Sequence, residues 1–169
     1  MKTVKLNSYA KVNIGLKLLQ KRIDGYHDIS TVFQEIDIYD EITISRSSNS
    51  VLEFSCNVDW LKNDQHNLCV IAYNRIKDLY DIGGVDINLV KNISKGSGLG
   101  SGSSNAAAVM KGLRKIFNLE VTDKVLEKIG KEIGADVPFF IRGATQIGEG
   151  IGEKLSLIHI SEPTRRYSI

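Results

Sequence analysis

Apolar and polar positions change period along this chain, and the changes divide it into elements. Over residues 3–8, Val4 and Leu6 turn one way and Lys5 and Asn7 the other, the two-residue period of a strand with one buried face. The alternation resumes over residues 10–19, where Val12, Ile14, Leu16 and Leu18 share a face and Lys11, Asn13 and Lys17 share the opposite one. Asp24-Gly25 is a turn signal. Residues 30–38 and 41–45 read as two further strands, and Asn49-Ser50 marks a turn before another at residues 51–54. The period becomes helical over residues 67–80, with Leu68, Ile71, Ala72, Ile76 and Leu79 on one stripe. Val85–Val90 alternates again. A second helical stripe follows in Ala106, Ala107, Met110, Leu113 and Phe117. A third, Val125, Ile129 and Ile133, is bracketed by Thr122 as N-cap and Gly134 as stop. An apolar run at residues 137–141 and a short strand at residues 145–147 end the readable pattern. Strands first, then helices interleaved with strands, predict an α+β fold with helices packed on one side of a mixed β-sheet.

Composition narrows the setting. A chain of 169 residues suits one domain, or one domain and part of another. A net charge of +2 argues against a nucleic-acid partner, whose footprint is a clustered basic patch. Cys56 and Cys69 have neither metal-ligand nor disulfide-framework spacing, so two buried thiols in a reducing compartment are expected. No apolar run approaches the ~20 residues of a membrane span, and the N-terminus has no secretory apolar core. The expectation is a cytoplasmic protein with no membrane partner.

The strongest chemical signal lies before the second helical stripe. Lys95 to Leu113 reads KGSGLGSGSSNAAAVMKGL. Gly96, Gly98, Gly100 and Gly102 allow close backbone approach and positive φ, and Ser103, Ser104 and Asn105 are expected to cap the helix start. A glycine loop feeding a helix N-terminus gathers free N–H donors at the positive end of the helix dipole, which is a site for phosphate. The P-loop pattern is absent, since no Lys-Ser or Lys-Thr follows these glycines, and so is a G-x-G-x-x-G in phase with a strand–helix turn. A mere flexible linker is disfavoured because the loop runs straight into a periodic helix.

Three other places carry candidate chemistry. Lys11 and Asn13 share a strand face, and on spacing alone a solvated face is the favoured reading. Tyr26 and His27 follow the Asp24-Gly25 turn. Asp136 precedes the apolar run 137–141, as a capping residue or as a carboxylate near the interior, where a neighbouring lysine would move its pKa. His66 and His159 have no ligand partners at metal spacing and are read as incidental.

Taken together, three segments carry a resemblance: residues 10–42 with the run KRIDGYHDISTVFQ (Lys21 to Gln34), the glycine loop, and GADVPFFIRGATQIGEGIGEKL (Gly134 to Leu155). The chain resembles the GHMP kinase superfamily over about residues 3–155. Through the Lys21–Gln34 run it resembles the branch acting on a cytidine diphosphate-linked methylerythritol in the non-mevalonate isoprenoid route.

The resemblance implies a GHMP N-terminal domain like the second domain of ribosomal protein S5. It also implies ATP and Mg2+ as cofactors and a small-molecule kinase. Asp136 would be the catalytic base with Lys11 beside it, and Asn13 would orient substrate. Tyr26 and His27 would hold the cytidine base. Gly96, Gly98, Leu99, Gly100, Ser101, Gly102, Ser103 and Ser104 would form the ATP loop, with Lys95 and Asn67 near the adenine. Two departures stand out: Ser94 where proline is usual, and Ser101 where glycine is frequent. Residues 156–169 match nothing in the family and resemble translated sequencing-adapter DNA. They are expected to be a non-native tail, with the family's second, ferredoxin-like domain absent from this chain. Competing readings are another GHMP kinase, acting on mevalonate, homoserine or a sugar, and a non-catalytic nucleotide- or RNA-binding module.

Overall fold

The computed structural model describes residues 2–21, 25, 27–62, 64–150 and 154–157. Two long strands dominate it. β1 (Thr3–Lys21) pairs antiparallel along almost its whole length with β2 (His27–Arg46). β2 also supports the rest of the sheet on its other edge. Its second half pairs with β4 (Val85–Val90) and its first half with β5 (Thr145–Gly150). β3 (Leu52–Cys56) adds parallel to β4, and β6 (Lys154–Leu157) adds antiparallel to β5, giving six strands in one mixed sheet. The two strands expected at residues 30–38 and 41–45 are one element. A register slip interrupts their alternation: Tyr9 pairs with Tyr39, but Ala10 pairs with Ile36, so Asp37 and Ile38 bulge out and break the period. The expected tail also begins inside a strand, because Ser156 and Leu157 pair with Ile147 and Gln146. Residues 158–169 lie outside the described residues.

The helices are a one-turn α1 (Asp59–Lys62), which the periodicity did not predict, α2 (Leu68–Leu79), α3 (Ser101–Phe117), α4 (Asp123–Ile133) and α5 (Val137–Arg142). α3 is the hub. Ala106 to Met110, Leu113 and Ile116 are buried, and Gly112 lets the helix press onto the strands. A Cβ there would lie 2.5 Å from the Ile44 side chain and 3.1 Å from that of Leu6. Ile42, Ile44, Ile87 and Leu89 supply the sheet side of the same core. Cys56 and Cys69 are free and buried in it, and burial pushes the Cys69 thiol up to about 12. No helix among the described residues is long and apolar enough to cross a membrane.

The far half of β1 reverses one expectation. Its apolar positions Ile14, Leu16 and Leu18 are 53–65% exposed, whereas Lys11, on the polar face, is 6% exposed. The alternation is real, but at the slip beside Ala10 the strand turns so that Ala10 and Lys11 are both buried. Of the polar face only Lys11 is drawn in, while Asn13 and Lys17 stay exposed.

Candidate active site

Lys11 and the glycine loop are held together by backbone. The Lys11 N–H donates to the Leu99 carbonyl at 3.0 Å. Gly96, Gly98 and Gly100 take φ of +75°, +74° and +70°, while Gly102 lies within α3. At Gly100 the glycine is needed twice over. The left-handed φ disfavours a side chain, and a Cβ would lie 3.0 Å from the Phe140 ring and 3.3 Å from Lys11 Cε. The loop is thus pressed between β1 and α5.

The helix start differs from the expectation in one respect. Gly100 is the N-cap of α3 and no side chain caps that end. Ser103, Ser104 and Asn105 lie within the first turns, not at the cap, and Ser104 and Asn105 are buried there. The glycine's left-handed turn starts the helix one residue after Gly100, so the serines enter the helix proper. The end is left without a side-chain cap and can serve an anion.

Beside the loop the structure brings Lys11 and Asp136 together. Lys11 Nζ lies 3.5 Å from Asp136 Oδ2. It donates to Asn13 Oδ1 at 2.8 Å and sits 4.5 Å over the Phe33 ring. Asp136 holds the N-cap position of α5 but makes no capping hydrogen bond, so its carboxylate is not spent on the helix. Its side chain is 35% accessible against 8% for that of Lys11. On the other side, Gly134 brings the α4–α5 turn to the loop, where a Cβ would lie 3.6 Å from Ser103 Oγ.

A cavity of about 210 Å3 opens along the outer side of the loop. Asn67, Lys95, Gly96, Ser101 and Gly102 line it. Asn67 is buried and its Oδ1 accepts the Cys69 N–H at 3.0 Å as the N-cap of α2. Lys95 Nζ lies 4.8 Å over the Trp60 ring, which also lines the cavity. His66, read as incidental, stands on the same wall.

His27 is not near this centre. It pairs with Lys21, whereas Lys11 pairs with Glu35. Eight residues of β2 separate the two levels, roughly 26 Å of extended strand. Tyr26 and Asp24 lie outside the described residues.

Sequence reasoning missed a second charged cluster under the loop. Asp40 is fully buried and accepts four hydrogen bonds. Lys91 Nζ (2.6 Å) and Asn105 Nδ2 (2.9 Å) donate to Oδ2; the backbone N–H groups of Asn92 (2.8 Å) and Ile93 (2.9 Å) donate to Oδ1. Lys91 also donates to Ser101 Oγ at 3.0 Å and Asn105 Oδ1 at 3.2 Å. A signal for this pair was present in the sequence. Asp40 is in phase with the buried Ile42 and Ile44, and Lys91 with Ile87 and Leu89, so each charge sits on a core face.

The comparisons with known proteins fit this geometry. Residues 67–144 match the family model described as GHMP kinases N terminal domain. A 4-diphosphocytidyl-2-C-methyl-D-erythritol kinase of Clostridium beijerinckii is 43% identical over 154 residues, 90% of this chain and 55% of that protein. Its counterpart in Acetivibrio thermocellus is 40% identical, over 94% of this chain and 56% of that protein. A crystal structure of a 4-(cytidine 5'-diphospho)-2C-methyl-D-erythritol kinase superposes with a TM-score of 0.80 at 34% identity, covering 92% of this chain and 55% of that one. A mevalonate kinase of Methanococcus jannaschii, 18% identical with a TM-score of 0.69, shares the fold. The chain spans about half the length of the curated relatives it matches.

Proposed function

We propose, for a chain that belongs to the GHMP kinases through its N-terminal domain, that it provides the nucleotide loop and the catalytic pair of an ATP-dependent kinase. The acceptor is 4-diphosphocytidyl-2-C-methyl-D-erythritol, the substrate that its relatives' names carry. The observation that carries the reading is the Lys11–Asp136 pair, 3.5 Å apart and partly open to solvent, lying against an uncapped helix start behind three left-handed glycines.

Each part has a task. The free N–H groups of the loop and the α3 dipole take the ATP phosphates. The adjoining cavity takes the adenine, with Asn67 on its floor and Trp60 and Lys95 at its wall. Asp136 accepts the proton of the acceptor hydroxyl. As that O–H bond breaks, an O–P bond forms to the γ-phosphorus and the bond from phosphorus to the departing ADP oxygen breaks. Lys11, 3.5 Å from the carboxylate, offsets charge as it develops. Asn13 holds the ammonium in place through its 2.8 Å hydrogen bond and faces the acceptor. The work is positioning and electrostatics, as is general for phosphoryl transfer.

Mg2+ supplies charge neutralisation on the transferring phosphates when bound. Among the described residues no group of three His, Cys, Asp or Glu side chains could form a cage for it. Such an ion takes its ligands mainly from substrate phosphates, and the Ser103 hydroxyl, which the α4–α5 turn meets at Gly134, is the protein group that would hold it. The polyol end of the acceptor is taken to lie at the Lys11–Asp136 pair, with the cytidine base on the side of His27. The domain is taken to span residues 1–155.

The test is ADP release from Mg-ATP with and without the cytidyl acceptor. Release that needs this acceptor, and that Asp136→Asn removes while ATP still binds, supports the reading. Equal turnover by Asp136→Asn overturns the assigned base. Release driven instead by mevalonate or homoserine moves the chain to another branch of the superfamily.

A further inference from the structure

Lys91 lines the nucleotide cavity, yet it has nothing left to offer a ligand. An ammonium has three N–H donors, and three acceptors already take them: Asp40 Oδ2, Ser101 Oγ and Asn105 Oδ1. Asp40 is equally committed, with two hydrogen bonds to each carboxylate oxygen. Neither group can reach substrate without breaking the other's network. Both are also buried, at 9% and 0% exposure, where such a pair is costly to desolvate and is weak evidence of stabilisation for its own sake.

What the network does fix is direction. Ser101 Oγ accepts from an ammonium, which cannot accept in return, so the hydroxyl proton of Ser101 must point elsewhere. Ser101 lines the cavity at the first position of α3. A parallel relay runs beside it. Asn105 Nδ2 donates to Ser8 Oγ at 2.8 Å, and Ser8 donates to Ser104 Oγ at 2.8 Å, so Ser104 too keeps its proton free. The relay starts from one carboxylate on β2 and ends with two helix-start serines that each accept one hydrogen bond and keep the hydroxyl proton to donate.

We infer that Asp40 and Lys91 form a positioning device that orders the start of α3 and presents Ser101 as a charge-assisted donor to the phosphates in the glycine loop. The inference rests on the nucleotide reading above. Lys91 acts through Ser101 and is a positioning residue, not a phosphate ligand.

The test uses four versions of the chain: wild type, Ser101→Ala, the double variant Asp40→Asn/Lys91→Met, and the triple combination. Lys91→Met alone leaves the buried Asp40 without its ammonium partner and is expected to fold poorly, which is why the pair is replaced together. Two readouts are taken. Amide hydrogen exchange without nucleotide is expected to speed up at residues 96–104 in the double variant, while residues 109–117 stay protected. ATP affinity is read from the fluorescence of Trp60, the single tryptophan of the chain. It is expected to fall about tenfold in the double variant, the scale of one charge-assisted hydrogen bond. Ser101→Ala is expected to weaken ATP binding in the wild-type background and to change it by less than about twofold in the double-variant background. Unchanged loop exchange in a folded double variant overturns the inference, as does an equal cost of Ser101→Ala in both backgrounds. Absence of ATP binding by the wild-type chain overturns the nucleotide reading instead, and the exchange data still decide whether Asp40 and Lys91 order the loop.

Discussion

Two lysine–aspartate pairs flank the glycine loop, and they are built to opposite specifications. Lys91 and Asp40 are 2.6 Å apart with side chains 4% and 0% accessible, and every donor and acceptor is matched within the protein. Lys11 and Asp136 are 3.5 Å apart with side chains 8% and 35% accessible, and Asp136 caps nothing. A saturated pair can hold structure but cannot take part in a reaction, because any new partner must displace an existing one. An unsaturated, half-open pair retains donor and acceptor capacity for substrate. The same two residue types thus serve different ends according to how fully their hydrogen bonds are used, and proximity to the loop alone would not tell them apart.

The comparison can be broken at several points. The largest expected effect is on the open pair. Asp136→Asn should lower substrate-dependent phosphoryl transfer by about 10²–10⁴-fold while leaving ATP affinity and melting temperature close to wild type; a large loss of stability would mean that this pair is structural after all. Lys91→Met should show the converse. Removing one partner of a buried pair costs about 3–5 kcal/mol, so denaturant unfolding should shift strongly, and adding Asp40→Asn should recover much of the loss. Gly100→Ala should cost about 1–2 kcal/mol for the left-handed backbone. Crowding against Phe140 and Lys11 adds to it, and ATP affinity should drop with the melting temperature.

The smallest effect concerns Glu35, whose carboxyl is half-buried beside α5. Burial raises its pKa above the ordinary 4.5, against the opposing pull of Lys111. Lys111 in turn is lowered by burial and donates to the Phe140 carbonyl at 2.9 Å. A raised carboxyl pKa means that the folded chain holds a proton which the unfolded chain has released. Its stability contribution is therefore complete below pH 4.5 and fades as pH rises through the folded-state value. Thermal melts across that range should show Glu35→Gln gaining on wild type as pH rises; a constant difference would show that Glu35 does not titrate there.

Much of this molecule was legible beforehand, because its helices and short strands follow clean periods. α2 and β4 fall within a residue of their expected bounds, with Asn67 as the α2 N-cap. The glycine loop was legible as a turn feeding a helix, because glycines, small polar residues and a helical stripe are adjacent in sequence. The long hairpin was less so. A register slip joins two expected strands into β2 and turns Lys11 inward, and a slip is set by pairing with a distant partner, not by local pattern. The Asp40–Lys91 pair was half legible. Both charges lie in phase with core residues, and they oppose each other one step beyond the Glu41–Val90 pairing, but recognising that required the β2–β4 register. Trp60 offered no signal, since α1 is a single turn.

The measurement closest to the central claim is amide and indole chemical-shift mapping of the isotope-labelled chain as a non-hydrolysable ATP analogue is added with Mg2+. The account predicts saturable shifts at the backbone N–H groups of residues 96–104 and at the Trp60 indole, with α4 unmoved. Shifts that spare the loop, or that gather on the lysines of α4, would contradict it.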